Sequence, residues 1–424
     1  MVEVESAFIA ISLIIFIGYF GMLFFKKTKI PETLVLMSIG LIIGPLFGLV
    51  GEFELSIFEG FLPFFASFTL MIIIFEGGLH LNFFKTIRDL PSAFIFTLIT
   101  FIATSVLIAI VWFIPTGNLL EGLLIGVILG GTSSAIIIPL IGNTSAYEQT
   151  KSLLGLESAL TDALSVITAV AIAELILSLN LGTGGGIDLA RVGSTLLAAF
   201  SIAAVVGGIF GFIWIRLLGF LEKKPYEYLL TLAVLLFMYS IVQVFGGNGV
   251  IAALVFGIIL GNSEDLTKML RLTPRKVEGS IKSFQMEISF MVRTFFFVYL
   301  GLLFKLKFLS DFGVIIISLL MIVAIAIARV IGAKLISKVD PVFKGDYLFI
   351  TTLMARGLAA AGLMSFPIIA SVFSKEVFAK ISAIVFLIIL FSNIITTIGV
   401  FVGEKVKFDK IKLEKISIEK NVQE

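Results

Sequence analysis

Long apolar segments follow one another along almost the whole of this 424-residue chain. Many contain 18 or more residues with few charges, enough for a helix to cross a hydrocarbon core of about 30 Å. Transmembrane β-strands would be shorter and would alternate polar with apolar residues. Since 59% of the residues are hydrophobic and the mean hydropathy is +1.14, lipid must surround most of the chain. The sequence predicts an all-α, polytopic membrane protein.

Breaks at Gly, Pro and charged residues divide the chain into about thirteen predicted membrane-spanning helices, called spans here. They cover residues 6–25, 30–50, 57–79, 91–114, 119–141, 150–180, 189–219, 226–245, 248–262, 282–304, 311–336, 346–372 and 378–402. Glu3 and Glu5 precede the first span and lysines follow it, which reverses the charge pattern of a signal peptide. We therefore expect this span to remain in the mature protein.

The loops between spans differ sharply in their content of Lys and Arg. One alternate set carries most of these residues, at 26–29, 85–88, 151, 216–224, 268–282, 334–344 and the tail from Lys405. The opposite set carries only Arg191, Lys305, Lys307, Lys375 and Lys380. Positively charged loops remain cytoplasmic. We expect a protein of the inner (cytoplasmic) membrane with its N-terminus outside and its C-terminus in the cytoplasm.

Short motifs recur in the two halves of the chain. Residues 39–44 of span 2 resemble 256–261 of span 9, 75–79 of span 3 align with 298–302 of span 10, and Gly130-Gly131 of span 5 aligns with Arg356-Gly357 of span 12. An offset of seven spans inverts one copy relative to the other, which is typical of secondary transporters. Chance similarity between glycine-rich membrane helices is the alternative.

The predicted organisation follows from this duplication. Residues 1–180 form a first inverted repeat, 189–219 a linker helix, 226–403 a second repeat and 404–424 a basic cytoplasmic tail. Spans 5 and 12 are expected to be discontinuous, because Gly130 to Ser134 and Arg356-Gly357 interrupt their apolar sequence. Non-helical backbone at membrane depth can coordinate an ion where it lines a cavity. Close packing of helices is the other common use of these glycines.

Charged side chains within the predicted spans are candidates for function. The six that come into question are Glu76, Glu157, Asp162, Arg293, Arg329 and Arg356. Each costs at least about 2.5 to 3.5 kcal/mol at the bilayer centre, so each needs a partner or a task.

Asp162 is the strongest candidate for an ion-binding carboxylate. Ser158 and Ser165 lie four residues before it and three after it, on the same helical face. A poorly solvated carboxylate can hold a proton or a bare cation, but not easily both. Such competition produces exchange. A permanent ion pair between Asp162 and an arginine is the alternative.

The other two acids have different expected roles. Glu157 lies about 140° around the helix from Asp162, so it faces other neighbours, and we expect it to pair permanently with an arginine. Glu76 lies near the end of span 3, where it either lines a cytoplasmic funnel or extends its carboxylate to the interface. Both interpretations of Glu76 stay open.

At these residues the chain resembles the monovalent cation/proton antiporters, specifically the thirteen-span archaeal and bacterial sodium/proton exchangers. The similar segments are Phe75 to Leu79, Glu157-Ser158 with Asp162, Arg293 to Phe297, Ala328-Arg329 and Ala355 to Gly357. The resemblance implies that Asp162 binds the cation with help from Ser158 and Glu76, and that Glu157 pairs with Arg329. Arg293 and Arg356 are implied to be functional, and a homodimer with a moving six-helix bundle is implied too.

Two positions differ from the pattern of that family. Span 5 usually reads Thr-Asp-Pro, whereas this chain has Thr132-Ser133-Ser134, and the residue before Asp162, usually Asn or Asp, is Thr161. The predicted ion site therefore has Thr132, Ser133 and Thr161 as neutral ligands beside Asp162. Fewer charged oxygens should weaken sodium binding, and the Ser-Ser pair is similar to potassium/proton members. Sodium remains favoured, with potassium as the alternative.

Composition excludes several other functions. The chain has no cysteine and one histidine, so thiolate and multi-histidine metal sites are excluded. No phosphate loop, nucleophile elbow or soluble domain is visible, which argues against an enzyme, a cofactor and nucleic-acid binding. Rings of polar groups, which a channel filter needs, are not visible either. A proton-coupled carrier of a small organic anion remains open, since inverted repeats serve such carriers too.

Overall fold

Helices account for nearly all of the regular structure. The computed structural model describes residues 12–16, 18–21, 23, 30–47, 52–80, 83–180, 189–221, 226–269, 271 and 279–423. Within these ranges the secondary structure is helical, without strands, so the predicted all-α class is confirmed. The predicted loop residues 181–188, 222–225, 272–278 and Lys26, Lys27 and Lys29 lie outside the described residues.

The described helices are numbered here in chain order. In the first half they are α1 (Glu32–Leu41, continued by a π-helical turn, Ile42–Leu46), α2 (Glu52–His80), α3 (Phe83–Thr116), α4 (Leu119–Ile128), α5 (Ser134–Gly142), α6 (Glu148–Asn180) and α7 (Leu189–Leu221). In the second half they are α8 (Glu227–Val244), α9 (Gly249–Gly261), α10 (Ser263–Met269), α11 (Gly279–Leu303), α12 (Phe312–Val339), α13 (Tyr347–Thr352), α14 (Leu358–Met364), α15 (Pro367–Ala370) and α16 (Lys375–Gln423).

Seven helices among the described residues are long and apolar enough to cross a membrane, or eight if the bent pair α9 and α10 forms one broken span. The prediction of thirteen spans therefore stays a prediction. Predicted spans 5 and 12 are each divided into two short helices, α4 with α5 and α13 with α14. Neither half of a divided span has the length that a continuous membrane helix needs.

The last helix is longer than the predicted final span. Residues 404–424 are predicted to form a separate basic tail, but α16 continues from Lys375 to Gln423 without a break. The residues after Gly403 include Lys, Glu, Ile and Leu but neither Gly nor Pro, so nothing in the sequence ends the helix there.

Two pairs of helices cross at glycines. Gly40 of α1 lies against Gly301 of α11, where a Cβ added to Gly301 would lie 2.8 Å from the Gly40 Cα. Gly78 of α2 lies against Gly257 of α9 in the same way, at 3.1 Å from the added Cβ of Gly257 to the Gly78 Cα. Small residues allow such close backbone approach between membrane helices. All four glycines belong to the short motifs that align between the two halves of the chain.

Gly78 and its neighbour Gly77 give a matched test of this packing. A Cβ at Gly78 would lie 2.6 Å from the Leu254 carbonyl oxygen, whereas a Cβ at Gly77 meets nothing within 4 Å. We expect Gly78→Ala to destabilise the protein by about 1 to 3 kcal/mol through overpacking, and Gly77→Ala to leave it unchanged or slightly stabilised. Thermal melting in detergent measures both, and equal melting temperatures would contradict the close contact.

Candidate functional site

The two interrupted spans cross each other at their breaks. Residues 129–133 separate α4 from α5, and residues 353–357 separate α13 from α14. The Ser133 amide donates to the Ala355 carbonyl oxygen at 2.9 Å. A Cβ on Gly357 would lie 2.6 Å from Ser133 Oγ, so only glycine fits there without displacing the serine. The crossing therefore supplies some of the backbone hydrogen bonds that the broken helices lack.

Arg356 fills the centre of this crossing. Its side chain is buried, and its Nε donates to the Leu129 carbonyl at 2.7 Å while Nη1 donates to the Met354 carbonyl at 3.2 Å. Both carbonyls lie just beyond the C-terminal ends of helices, α4 and α13, where a positive charge is favourable. Ser392 and Asn393 of α16 hold the Arg356 backbone, through Arg356 N to Ser392 Oγ at 2.9 Å and Asn393 Nδ2 to Arg356 O at 2.8 Å.

Asp162 faces the first residue of the half-helix α5. Its side chain is 4% exposed, and its Oδ2 accepts hydrogen bonds from Ser134 Oγ at 2.6 Å and from the Ser134 amide at 3.3 Å. A helix N-terminus favours a carboxylate because its amides are free to donate. Within the part of the chain that the structure describes, no ion pair joins Asp162 to an arginine. Its charge is therefore not permanently consumed by a partner.

Several buried hydroxyl groups belong to α6 and to the break between α4 and α5. Thr161 Oγ1 accepts from the Thr132 amide and donates to the Ser158 carbonyl, both at 3.1 Å. Ser158 Oγ donates to the Gly155 carbonyl at 2.9 Å. Thr132 Oγ1 and Ser165 Oγ are buried without a hydrogen-bond partner among the described residues. Oxygen atoms of this kind are the ligands that hard cations prefer.

No second acid completes the site. Groups of three His, Cys, Asp or Glu that could hold a metal ion do not occur among the described residues. Divalent metals prefer sites with several carboxylates, and the predicted cation ligands Asp162 and Ser158 include one carboxylate.

Glu157 lies on another face of α6 and contacts Arg329 of α12. Glu157 Oε1 is 2.9 Å from Arg329 Nη1, and both side chains are 1% exposed. Arg329 Nη1 and Glu157 Oε2 have no hydrogen-bond partner among the described residues. The contact is therefore an ion pair without an aligned hydrogen bond. Arg329 also donates to the Ile350 and Leu353 carbonyls, at 3.1 and 2.7 Å. Its guanidinium lies 5.0 Å from the centre of the Phe96 ring.

The remaining predicted residues lie apart from this centre. Arg293 of α11 pairs with Glu32 of α1 at 2.9 Å, an acid that sequence reasoning did not consider. Glu76 is half-buried in α2, and the described contacts give its carboxylate no hydrogen bond or ion pair. The structure thus bonds the Thr132 backbone to the hydroxyl of Thr161, the residue before Asp162, and brings the Ser133 backbone to the crossing. No described contact joins the Ser158 hydroxyl, Glu76 or Arg293 to Asp162.

Sequence reasoning missed Ser134. Its signal was its position, because a serine at the start of an apolar segment after Gly-Gly-Thr-Ser is typical of a helix N-terminus. The carbonyl partners of Arg356 were also missed, since backbone acceptors leave no signal in a sequence.

Comparison with known proteins agrees with this architecture. A family model described as the transmembrane sodium/hydrogen exchanger matches residues 11–402. A probable Na+/H+ antiporter 2 of Methanocaldococcus jannaschii is 24% identical over 78% of this chain and 79% of its own length. The K+/H+ antiporter NhaP of Alkalimonas amylolytica is 25% identical over 92% of this chain and 65% of its own.

Among solved structures, the sodium proton antiporter MjNhaP1 of Methanocaldococcus jannaschii superposes with a TM-score of 0.76 at 20% identity. The match covers 93% of this chain and 99% of MjNhaP1. At this identity the likeness establishes a shared fold. Since the family model spans nearly the whole length, the chain belongs to the transmembrane sodium/hydrogen exchanger family.

Proposed function

We propose that this protein exchanges a monovalent cation, with sodium favoured, for protons by competitive binding at Asp162 during alternating access. One observation carries the proposal: a single buried carboxylate lies at a crossing of broken helices, bonded to Ser134 and not to an arginine. Such a group can release a proton to take up a cation and can do the reverse, whereas a carboxylate in a permanent ion pair could do neither.

The choice between sodium and potassium depends on the ligands around Asp162. The relatives carry both Na+/H+ and K+/H+ names. Thr132, Ser133 and Thr161 supply neutral oxygens where the family usually has at least one further acid, so potassium is the alternative cation. An organic anion is disfavoured, because the Arg356 guanidinium already donates to the Leu129 and Met354 carbonyls.

Transport in proteoliposomes tests the proposal directly. The purified protein would be reconstituted with an imposed pH gradient, and sodium, potassium and lithium salts would be added in turn. We expect one or more of these cations to dissipate the gradient, and the order of the rates gives the selectivity. The proposed cation/proton exchange would be refuted if no monovalent cation dissipated the pH gradient in vesicles shown to contain folded protein.

The arrangement in the cell is part of the proposal. We propose an inner-membrane homodimer whose N-terminus is outside and whose C-terminus is cytoplasmic. Two inverted copies, 1–180 and 226–403, would surround the linker helix. The two inverted copies are supported by the paired glycine crossings, Gly40 with Gly301 and Gly78 with Gly257. Each crossing joins a helix of one copy to a helix of the other. In the aligned motifs Gly40 corresponds to Gly257 and Gly78 to Gly301, so the two crossings would be equivalent in a duplicated structure.

Exchange is expected to be electroneutral. Asp162 is the single acid of the described site without an ionic partner, since Glu157 pairs with Arg329, and Arg356 does not release a proton near neutral pH. One proton therefore replaces one cation. We expect transport rates to stay unchanged when potassium and valinomycin clamp the membrane potential at different values, with another clamping ion if potassium is the substrate. A strong dependence on potential, or a current that reverses with the cation gradient, would contradict this stoichiometry.

Ser134 should set the balance between proton and cation. Ser134→Ala removes the 2.6 Å hydroxyl donor while the amide donor at 3.3 Å remains. Because a donor to the charged carboxylate favours the charged form, its loss should let protons compete better. We expect the pH profile of exchange to shift to higher pH with folding intact. Ser145→Ala is the control, since the Ser145 contact to Glu404 uses its backbone amide; equal pH profiles for wild type and Ser134→Ala would contradict the role.

A further inference from the structure

A cavity of about 590 Å³ lies away from Asp162, between the end of α11 and the first turns of α16. Such a volume is within the range of about 300 to 1,000 Å³ that is usual for small-molecule sites. Its walls are mainly apolar and come from α11, the half-helix α14 and α16. They include Leu303, Phe304, Met364, Ala379 and Phe386. The space therefore suits a hydrocarbon chain.

Two lysines line the same cavity, Lys305 just after α11 and Lys375 at the start of α16. Both side chains are exposed, and neither is paired with an acid in the part of the chain that the structure describes. The nearby acids are already engaged: Glu376 pairs with Lys380 at 3.0 Å, and Asp311 caps α12 by accepting from the Gly313 and Val314 amides. The mouth of the cavity thus has two positive charges without a counter-charge.

The position of the lysines indicates the membrane interface. Lys375 is the first residue of α16, and Lys407 lies 32 residues further along the same continuous helix, about 48 Å away at 1.5 Å per residue. That distance exceeds the thickness of the hydrocarbon core, about 30 Å. Lys375 therefore lies at one surface of the membrane, where lysines contact the phosphates of lipids. An apolar cavity that opens beside two such lysines fits a molecule with an anionic head and a hydrocarbon tail.

We propose that this cavity binds an anionic phospholipid of the surrounding bilayer, with one acyl chain inside and the phosphate at Lys305 and Lys375. The phosphate supplies the missing negative charge, and the chain removes the apolar walls from water. The site also contacts the transport machinery, because Ala361 and Met364 of its wall belong to α14, which begins directly after Arg356-Gly357. A bound lipid would hold α14 against α11 and so stabilise the crossing at Asp162.

Thermal melting of the purified full chain in a neutral detergent tests the site without any need for transport. Dioleoylphosphatidylglycerol is expected to raise the melting temperature of the wild type more than dioleoylphosphatidylcholine does. The double variant Lys305→Gln with Lys375→Gln should lose most of that difference. Its matched control is Lys307→Gln with Lys380→Gln, which removes the same charge from nearby positions that do not line the cavity, and it should keep the difference.

A second variant separates the cavity from its charges. Ala379→Phe keeps both lysines but fills the space, and it should also lose the effect of phosphatidylglycerol. Equal losses in the two lysine double variants would show general attraction to the charged surface and overturn the proposal. A shift in melting temperature that survives in Ala379→Phe would also overturn the proposal, because it would place the lipid outside the cavity. A shift produced by oleate and not by phosphatidylglycerol would overturn it too, because the ligand would then be a free fatty acid.

Discussion

Asp162→Asn is expected to abolish cation-dependent proton movement in proteoliposomes while leaving the fold intact. Asparagine has nearly the same shape and keeps an oxygen that accepts the hydrogen bond from Ser134. It cannot ionise, so it carries neither a proton nor the charge that attracts a cation. The measurement is the rate at which sodium, potassium or lithium dissipates an imposed pH gradient, alongside the melting temperature of the variant.

The matched control lies in the same helix. Glu174→Gln neutralises an exposed acid of α6 that is twelve residues beyond Asp162, and it should keep wild-type transport. Wild-type rates in Asp162→Asn would end the proposed mechanism. Loss of transport in both variants would show that net charge on α6, and not the carboxylate at the crossing, is what matters.

Separating Glu157 from Arg329 is expected to destabilise the protein strongly. Glu157→Gln leaves Arg329 without its ionic partner, and Arg329→Met leaves Glu157 charged and buried, each at a cost of about 3 to 5 kcal/mol. Arg329→Met should be the worse of the two, because the Ile350 and Leu353 carbonyls also lose their donor. The double variant should lose less than the sum of the two single variants, as melting in detergent would show.

A more exposed pair serves as the comparison. Arg293 and Glu32 are 17% and 13% exposed, so water compensates part of the charge when one partner is removed. The variants Glu32→Gln and Arg293→Met should therefore cost less and interact less than the buried pair. Strictly additive losses at Glu157 and Arg329 would mean that the two residues do not interact.

The sequence predicts the architecture well where the signal is local. Apolar length places the helices, and Gly130 to Ser134 and Arg356-Gly357 mark the two breaks, because glycine and polar residues interrupt an apolar pattern visibly. The ion pair of Glu157 with Arg329 came from family resemblance and is found at 2.9 Å. The spacing of residues in the sequence alone left three arginines open as partners of Glu157.

What the sequence could not predict depends on contacts between distant segments. Arg356 donates to Leu129, 227 residues away, and the Ser134 hydroxyl reaches Asp162 across a separation of 28 residues. A carbonyl acceptor has no sequence signature, and one serine among several cannot be identified without its backbone position. The pairing of Arg293 with Glu32 also joins distant segments of the chain. Glu32 did not stand out in the sequence, because it lies at the start of a helix, where acids are common.

The crossing of the broken helices also constrains how the protein is made. The Leu129 carbonyl receives its donor from Arg356, 227 residues later in the chain. At a synthesis rate of about 5 to 20 residues per second, that partner follows about 11 to 45 seconds after Leu129. Unpaired backbone facing lipid is too costly to persist. While the ribosome is still completing the second half, residues 119–142 are therefore expected to form one continuous helix, which opens at 129–133 only when the later segment arrives.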